Sequence, residues 1–115
     1  MKKINTLKKN YEYSNVIKKG KYYVRKQIIV YITKNNSKKN IIGIAISTKL
    51  CNAVKRNKLK RIIRESYYKE MKQLKQGYNI VFLWNKKEPV ENANFHEVHK
   101  EIKEIFKEAE LFEKN

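Results

Sequence analysis

Six of the ten residues from Lys55 to Arg64 are Lys or Arg, in a run KRNKLKRIIRE that closes on Glu65. On a helix turning about 100° per residue, Arg56, Lys60, Arg64, Asn57 and Arg61 share one arc of roughly 140°. Leu59, Ile62, Ile63 and Ser66 fall on a separate arc nearby. The run therefore predicts a helix that buries one side and presents guanidinium, ammonium and amide groups on the other. Arginine's planar fork binds phosphate through paired hydrogen bonds and stacks on bases. Asn57 adds a donor and an acceptor suited to a ribose hydroxyl or a base edge. A merely solvated face would mix Glu with Lys at i,i+4 spacing. Here only Glu65 interrupts the positive arc, at its end. Lys55, Arg56, Asn57, Lys58, Lys60, Arg61 and Arg64 are the candidate nucleic-acid-binding residues.

Aromatic rings accompany this charge. Tyr11, Tyr13, Tyr22, Tyr23, Tyr31, Tyr67 and Tyr68 all lie in basic segments. Rings among Lys and Arg make a stacking surface for single-stranded nucleotides. Any one of them could equally cover a sheet or helix edge, but at least two are expected on one groove.

The catalytic inventory is poor. The chain has no aspartate, and residues 1–87 offer only Glu12, Glu65 and Glu70. Two-metal nucleases need several carboxylates converging on their ions. His96 and His99 stand at i,i+3 in an acidic segment and read as surface residues rather than metal ligands. Cys51 cannot form an intrachain disulfide, being the one cysteine, and reads as a small buried side chain at a helix entrance. Three glycines are too few for a phosphate-cradling loop. If RNA is cut, something other than these side chains must carry the chemistry.

The formal charge is +17, and its distribution is uneven. Residues 1–87 hold 24 basic residues against three acids, a net of +21; residues 88–115 hold four Lys against eight Glu, a net of −4. A polyanion that displaces its counterions on binding relieves such self-repulsion. Nucleic acid fits this asymmetry better than an anionic membrane does. Ile28–Ile32 and Ile41–Ile46 are far too short to span a bilayer. No apolar stretch follows the basic start MKKINTLKKN, so a secretory signal is not expected and a cytoplasmic location is. A length of 115 residues favours a single domain over 1–115.

The elements that must position these residues follow from periodicity. Leu7–Lys19 predicts a short helix closed by Gly20 in a C′ position. Tyr22–Thr33 and Ile41–Ser47 are β-rich runs joined by the polar stretch Lys34–Asn40. Asn52 is the expected N-cap of a helix running to about Lys75, ended by Gly77. Tyr78–Asn85 carries apolar residues on both faces and predicts a central strand covered twice. After Pro89, Asn92 or Asn94 caps a last helix reaching about Leu111, with Phe95, Val98, Ile102, Ile105 and Phe106 as its stripe. Helices on a small mixed sheet of about four strands give an α+β class, a small α/β sandwich.

The segment GIAISTKLCNAVKRNKLKRIIRES, Gly43–Ser66, resembles the signature of the bacterial ribonuclease P protein subunit. The match runs through Ser47, Lys49, Asn52, Ala53, Val54, Arg56, Asn57, Lys60, Arg61, Arg64 and Glu65. Upstream, Leu7–Asn10, Tyr13, Gly20 and Tyr31 also fit the family's spacing. Thr48, Cys51 and Lys58 replace residues more usual there (Lys, Gly and Arg), and Ile17 stands where an aromatic is frequent. The resemblance implies a sandwich whose parallel βαβ connection is left-handed, against the general rule. It also implies a subunit of an endoribonuclease that removes the 5′ leader of precursor tRNA. Mg²⁺ would be held mainly by the partner ribonuclease P RNA, and the protein alone would not be catalytic. The basic helix would contact that RNA, and a cleft between the sheet and the first two helices, carrying Tyr13, Ile17, Tyr31, Ser47 and Lys49, would take the leader. A ribosomal or ribosome-associated RNA-binding protein is the competing expectation. A DNA-binding regulator is disfavoured because a strand, not a helix and turn, precedes the basic helix.

Overall fold

The computed structural model describes residues 4–114. In chain order the elements are α1 (Asn10–Lys19), β1 (Lys21–Val24), β2 (Ile28–Lys34), β3 (Ile41–Ala45), α2 (Ala53–Glu70), β4 (Tyr78–Trp84) and α3 (Phe95–Glu108). Short 3₁₀ turns occupy Met71–Gln73 and Val90–Asn92. The strands form one sheet in the order β1-β2-β4-β3. β1 pairs with β2 and β2 with β4 antiparallel, while β3 and β4 are parallel and joined through α2. This is the expected α+β class with a mixed sheet.

β4 is central, as its two apolar faces predict. Ile80, Phe82 and Trp84 join Ile28, Val30, Ile32 and Ile42 in a core beneath α2 and α3. From α2 come Leu59, Ile62 and Ile63, and from α3 Val98, Ile102, Ile105 and Phe106. Burying each such side chain stabilises the fold by roughly 1.5–3 kcal/mol. Phe82, Phe106 and Tyr67 meet edge to face at ring separations of 6.0–6.3 Å. On the opposite face Val81 packs with Leu7 and Val16, and α1 covers only part of the sheet. Among the described residues no helix is long and apolar enough to cross a membrane.

Several boundaries differ from expectation. α1 starts at Asn10, not Leu7, because Glu12 Oε1 accepts the backbone N–H groups of Lys8 and Lys9 at 3.1 and 2.9 Å and fixes the first turn there. These two N–H groups hold the Glu12 carboxyl below the usual carboxylate range. Residues 5–7 are instead extended along the β3 edge: Leu7 N–H donates to Ile42 O at 2.8 Å, and Ile42 N–H to Asn5 O at 2.9 Å. Gly20 is not left-handed (φ −79°); it is needed because a Cβ would lie 2.5 Å from the Val16 carbonyl oxygen. The run Tyr22–Thr33 splits into two strands around Arg25–Gln27. No Gly or Pro marks that turn. It is held from a distance by Glu101 Oε1, which accepts from Gln27 N–H at 2.9 Å and Ile28 N–H at 3.2 Å. α2 yields to a 3₁₀ turn after Glu70, short of Lys75, and Gly77 (φ 99°) makes the left-handed reversal into β4. Asn94, rather than Asn92, caps α3, accepting from Glu97 N–H at 3.1 Å.

His99 is not a plain surface residue. Its Nε2 lies 2.7 Å from Glu70 Oε2, and its ring stacks on Phe95 at 5.6 Å. The pair ties the start of α3 to the end of α2. His96, by contrast, is exposed.

Candidate nucleic-acid interface

The N-terminus of α2 is fixed by Asn52, whose Oδ1 accepts the Lys55 N–H at 2.9 Å. That cap sets the helix phase. Leu59, Ile63 and Ser66 are then sealed against the core at 0–1% exposure, which turns the positive arc outward. Ser66 Oγ donates to the Ile62 carbonyl, so its hydroxyl is satisfied inside the helix. Asn57, Lys58, Lys60, Arg61 and Arg64 line one shallow groove of about 520 Å³ together with Val54, which is 78% exposed. Among the described residues no carboxylate forms an ion pair with Lys58, Lys60, Arg61 or Arg64. Their charge faces solvent unneutralised.

Two of the seven predicted residues are engaged differently. Arg56 is half-buried and donates from Nη1 to the Cys51 carbonyl at 2.9 Å, so part of its fork pins the β3–α2 turn. Lys55 lies off the arc and meets Glu91 at 3.3 Å. The Glu91 carboxyl is held below its ordinary range, first by its own backbone N–H and then by Lys55. Arg25 also works internally, reaching Glu108 at 2.6 Å and Glu104 at 3.5 Å on α3. Some of the basic charge in residues 1–87 is therefore spent on the acidic C-terminal segment. Such exposed pairs contribute little to stability.

The second predicted set surrounds the open face of the sheet. The strand register puts Tyr22, Tyr31, Val81 and Gly43 in one row across all four strands. The next row is Val24, Ile29, Leu83 and Ala45. Tyr13 and Tyr31 pack on the small cluster around Val81. Tyr22 and Tyr31 pair at 5.7 Å between ring centroids, and Tyr22 is 62% exposed. Ile17 is exposed one helical turn beyond Tyr13. Ser47 and Lys49 lie exposed in the turn after β3, at the Ala45 end of the second row. There Ser47 Oγ accepts the Lys49 N–H at 3.2 Å, so the serine also shapes the turn.

The two sets adjoin beside the sheet, where the first two helices come together. Lys60 and Arg64 from α2 share a hollow of about 210 Å³ with Tyr13, Gly43, Ile44, Thr6 and Leu7. A strand could run from the tyrosine row, past Tyr13, onto the α2 cations. Sequence reading left Gly43 and Ile44 out of the site and offered Tyr22 only among seven tyrosines of the basic segments, not in the cleft; the hairpin register pairs Tyr22 with Tyr31. Of the other tyrosines, Tyr23 and Tyr67 belong to the core, and burial pushes the Tyr67 hydroxyl up to about 12. Among the described residues no three His, Cys or Glu side chains converge to hold a metal ion.

A family model described as Ribonuclease P matches residues 1–110 of this sequence. The chain belongs to the ribonuclease P protein family. It is 31% identical over 115 residues to the ribonuclease P protein component of Natranaerobius thermophilus, covering 100% of this chain and 98% of that one. It is 33% identical over 114 residues to that of Bacillus pumilus, covering 98% and 94%. The fold is similar to the Staphylococcus aureus RNase P protein, with a TM-score of 0.82 and 28% identity, covering 96% of this chain and 100% of that one. The RNase P protein of Thermotoga maritima gives a TM-score of 0.79 at 27% identity, covering 90% and 96%. As a ribonuclease P protein component, this chain is a part of a tRNA-processing ribonucleoprotein nuclease.

Proposed function

We propose that this chain docks on ribonuclease P RNA through the outer arc of α2 and guides the 5′ leader of precursor tRNA along the open sheet face. The observation that carries the reading is the unneutralised arc of Asn57, Lys60, Arg61 and Arg64, held rigidly outward by the Asn52 cap and the buried Leu59, Ile62 and Ile63. Cations rooted on a fixed helix face bind phosphate without first breaking internal ion pairs. The row Tyr22–Tyr31 offers rings to leader bases, with Ile17, Ser47 and Lys49 near it.

Cleavage belongs to the RNA partner in this reading. The chain's own residues do not fit a Mg²⁺ site: it has no aspartate, and its glutamates are dispersed or paired. Mg²⁺ would be held by the RNA, and the protein's charge would lower the concentration needed by neutralising phosphate repulsion. Reconstitution tests this. The chain plus bacterial ribonuclease P RNA at low Mg²⁺ should cleave precursor tRNA to the mature 5′ end, while either component alone should not. Cleavage by the protein after ribonuclease treatment to destroy carried RNA would refute the division of labour.

A further inference from the structure

We propose that a groove along the C-terminal half of α2 holds one unpaired nucleotide of folded RNA, its base on Tyr68 and Ile4 and its phosphates on Arg61, Arg64 and Lys72. This deepens the docking reading above and rests on it. The groove has a volume of about 590 Å³, in the size range of pockets that take small organic molecules. It overlaps the end of the basic run at Arg61, Arg64 and Glu65 and extends past it to Tyr68, Lys69 and Lys72.

Helical spacing places its parts. Tyr68 follows Arg64 by four residues and Arg61 by seven, so the three stack along one side of the helix. Lys72 lies four residues further, in the 3₁₀ turn that continues α2. The floor is apolar, from the half-buried Ile4 and Tyr68; the rim is cationic. Arg61, Arg64 and Lys72 have no carboxylate ion pair among the described residues. Lys69, on the same rim, is drawn toward α3, its Nζ 6.0 Å from the Phe95 ring centre.

An aromatic floor under a cationic rim fits a nucleotide, which offers a flat face and an anionic backbone together. Bare phosphate would leave the floor unused and would meet the Glu65 carboxylate. A base edge bearing N–H groups gives Glu65 something to accept. An apolar peptide would leave the cations desolvated, and a second copy of a +17 chain would be repelled.

The test is binding of the full chain to ribonuclease P RNA by wild type, Tyr68→Ala, Tyr68→Phe and Lys72→Ala, with thermal melts of each and chemical probing of the bound RNA. Tyr68→Ala should weaken binding about 5- to 150-fold, the range for loss of one base–aromatic stack. Tyr68→Phe keeps the ring and should stay within about two-fold of wild type. Lys72→Ala should flatten the salt slope by about one phosphate contact. One nucleotide should be protected by wild type and Tyr68→Phe but not by Tyr68→Ala. Wild-type affinity in Tyr68→Ala, or equal losses in the Ala and Phe variants, overturns the groove. If Tyr68→Ala melts below the assay temperature, the Lys72→Ala slope decides, and an unchanged slope overturns it. Loss of binding in Lys58→Ala and Asn57→Ala with none at Tyr68 and Lys72 would remove the groove and leave the docking reading standing. A wild-type chain with no preference for ribonuclease P RNA over an unrelated RNA of equal length would remove both.

Discussion

The ring of Tyr13 lies directly over the backbone of Gly43. A Cβ on Gly43 would fall 2.8 Å from Tyr13 Cζ and 3.0 Å from Leu7 Cδ1. Glycine is therefore required here by close approach, and the contact fixes Tyr13 between the tyrosine row and Lys60 and Arg64 of α2. Gly43→Ala should force the ring aside, lowering stability by about 1–3 kcal/mol. Its effect on function should depend on the leader: affinity for precursor tRNA should fall several-fold more than affinity for mature tRNA. Thermal melts and paired binding titrations of the reconstituted enzyme would show this, and equal losses for both tRNAs would count against a leader path past Tyr13.

Asn52 sets the phase of α2. Asn52→Ala removes its bond to the Lys55 N–H and should cost about 1 kcal/mol. The melting temperature should drop by about 4 °C. RNA affinity should fall as well, although Asn52 itself need touch no RNA, because the arc is no longer held at its start. A melting temperature unchanged within error would show that the core alone orients α2.

Glu101 makes the stability of the fold depend on pH. Burial pushes its carboxyl above the ordinary range, against the opposing pull of the Gln27 and Ile28 N–H groups. Its second oxygen and the Gln27 side-chain oxygen are buried without partners among the described residues. The folded state thus keeps this proton to higher pH than the unfolded chain does. The stability it contributes is full below the unfolded pKa and is lost as pH rises through the raised folded value. Glu101→Gln keeps an acceptor for both N–H groups and carries no charge. The variant should melt at least as high as wild type at neutral pH, and the difference in its favour should shrink in acid. A fall of several degrees at neutral pH would show that the ionised carboxylate is what the turn requires.

Arg56 and Arg61 should separate in their effects. Arg56→Ala breaks the bond to the Cys51 carbonyl and should lower both stability, by about 1 kcal/mol, and RNA affinity. Arg61→Ala should lower affinity with the melting temperature unchanged. Identical melting behaviour in the two variants would contradict the anchoring role of Arg56.

Much of this was legible in the sequence because local physics decided it. The Asn52 cap, the buried Leu59–Ile62–Ile63 stripe, the outward arc and the two-faced Tyr78–Trp84 strand each follow from spacing alone. What the sequence hid was set by distant partners. The turn at Arg25–Gln27 depends on Glu101, more than seventy residues away. The extended path of residues 5–7 depends on the β3 edge. The joining of Tyr13 to Lys60 and Arg64 needs the strand order β1-β2-β4-β3, which no periodicity encodes.

The most direct measurement is the salt dependence of binding to ribonuclease P RNA for the wild-type chain and Arg61→Ala, titrated side by side. The slope of log affinity against log salt should be steep for wild type and shallower in the variant by about 0.7–0.9, one phosphate contact. Superimposable slopes would mean that the exposed arc of α2 does not meet RNA phosphate.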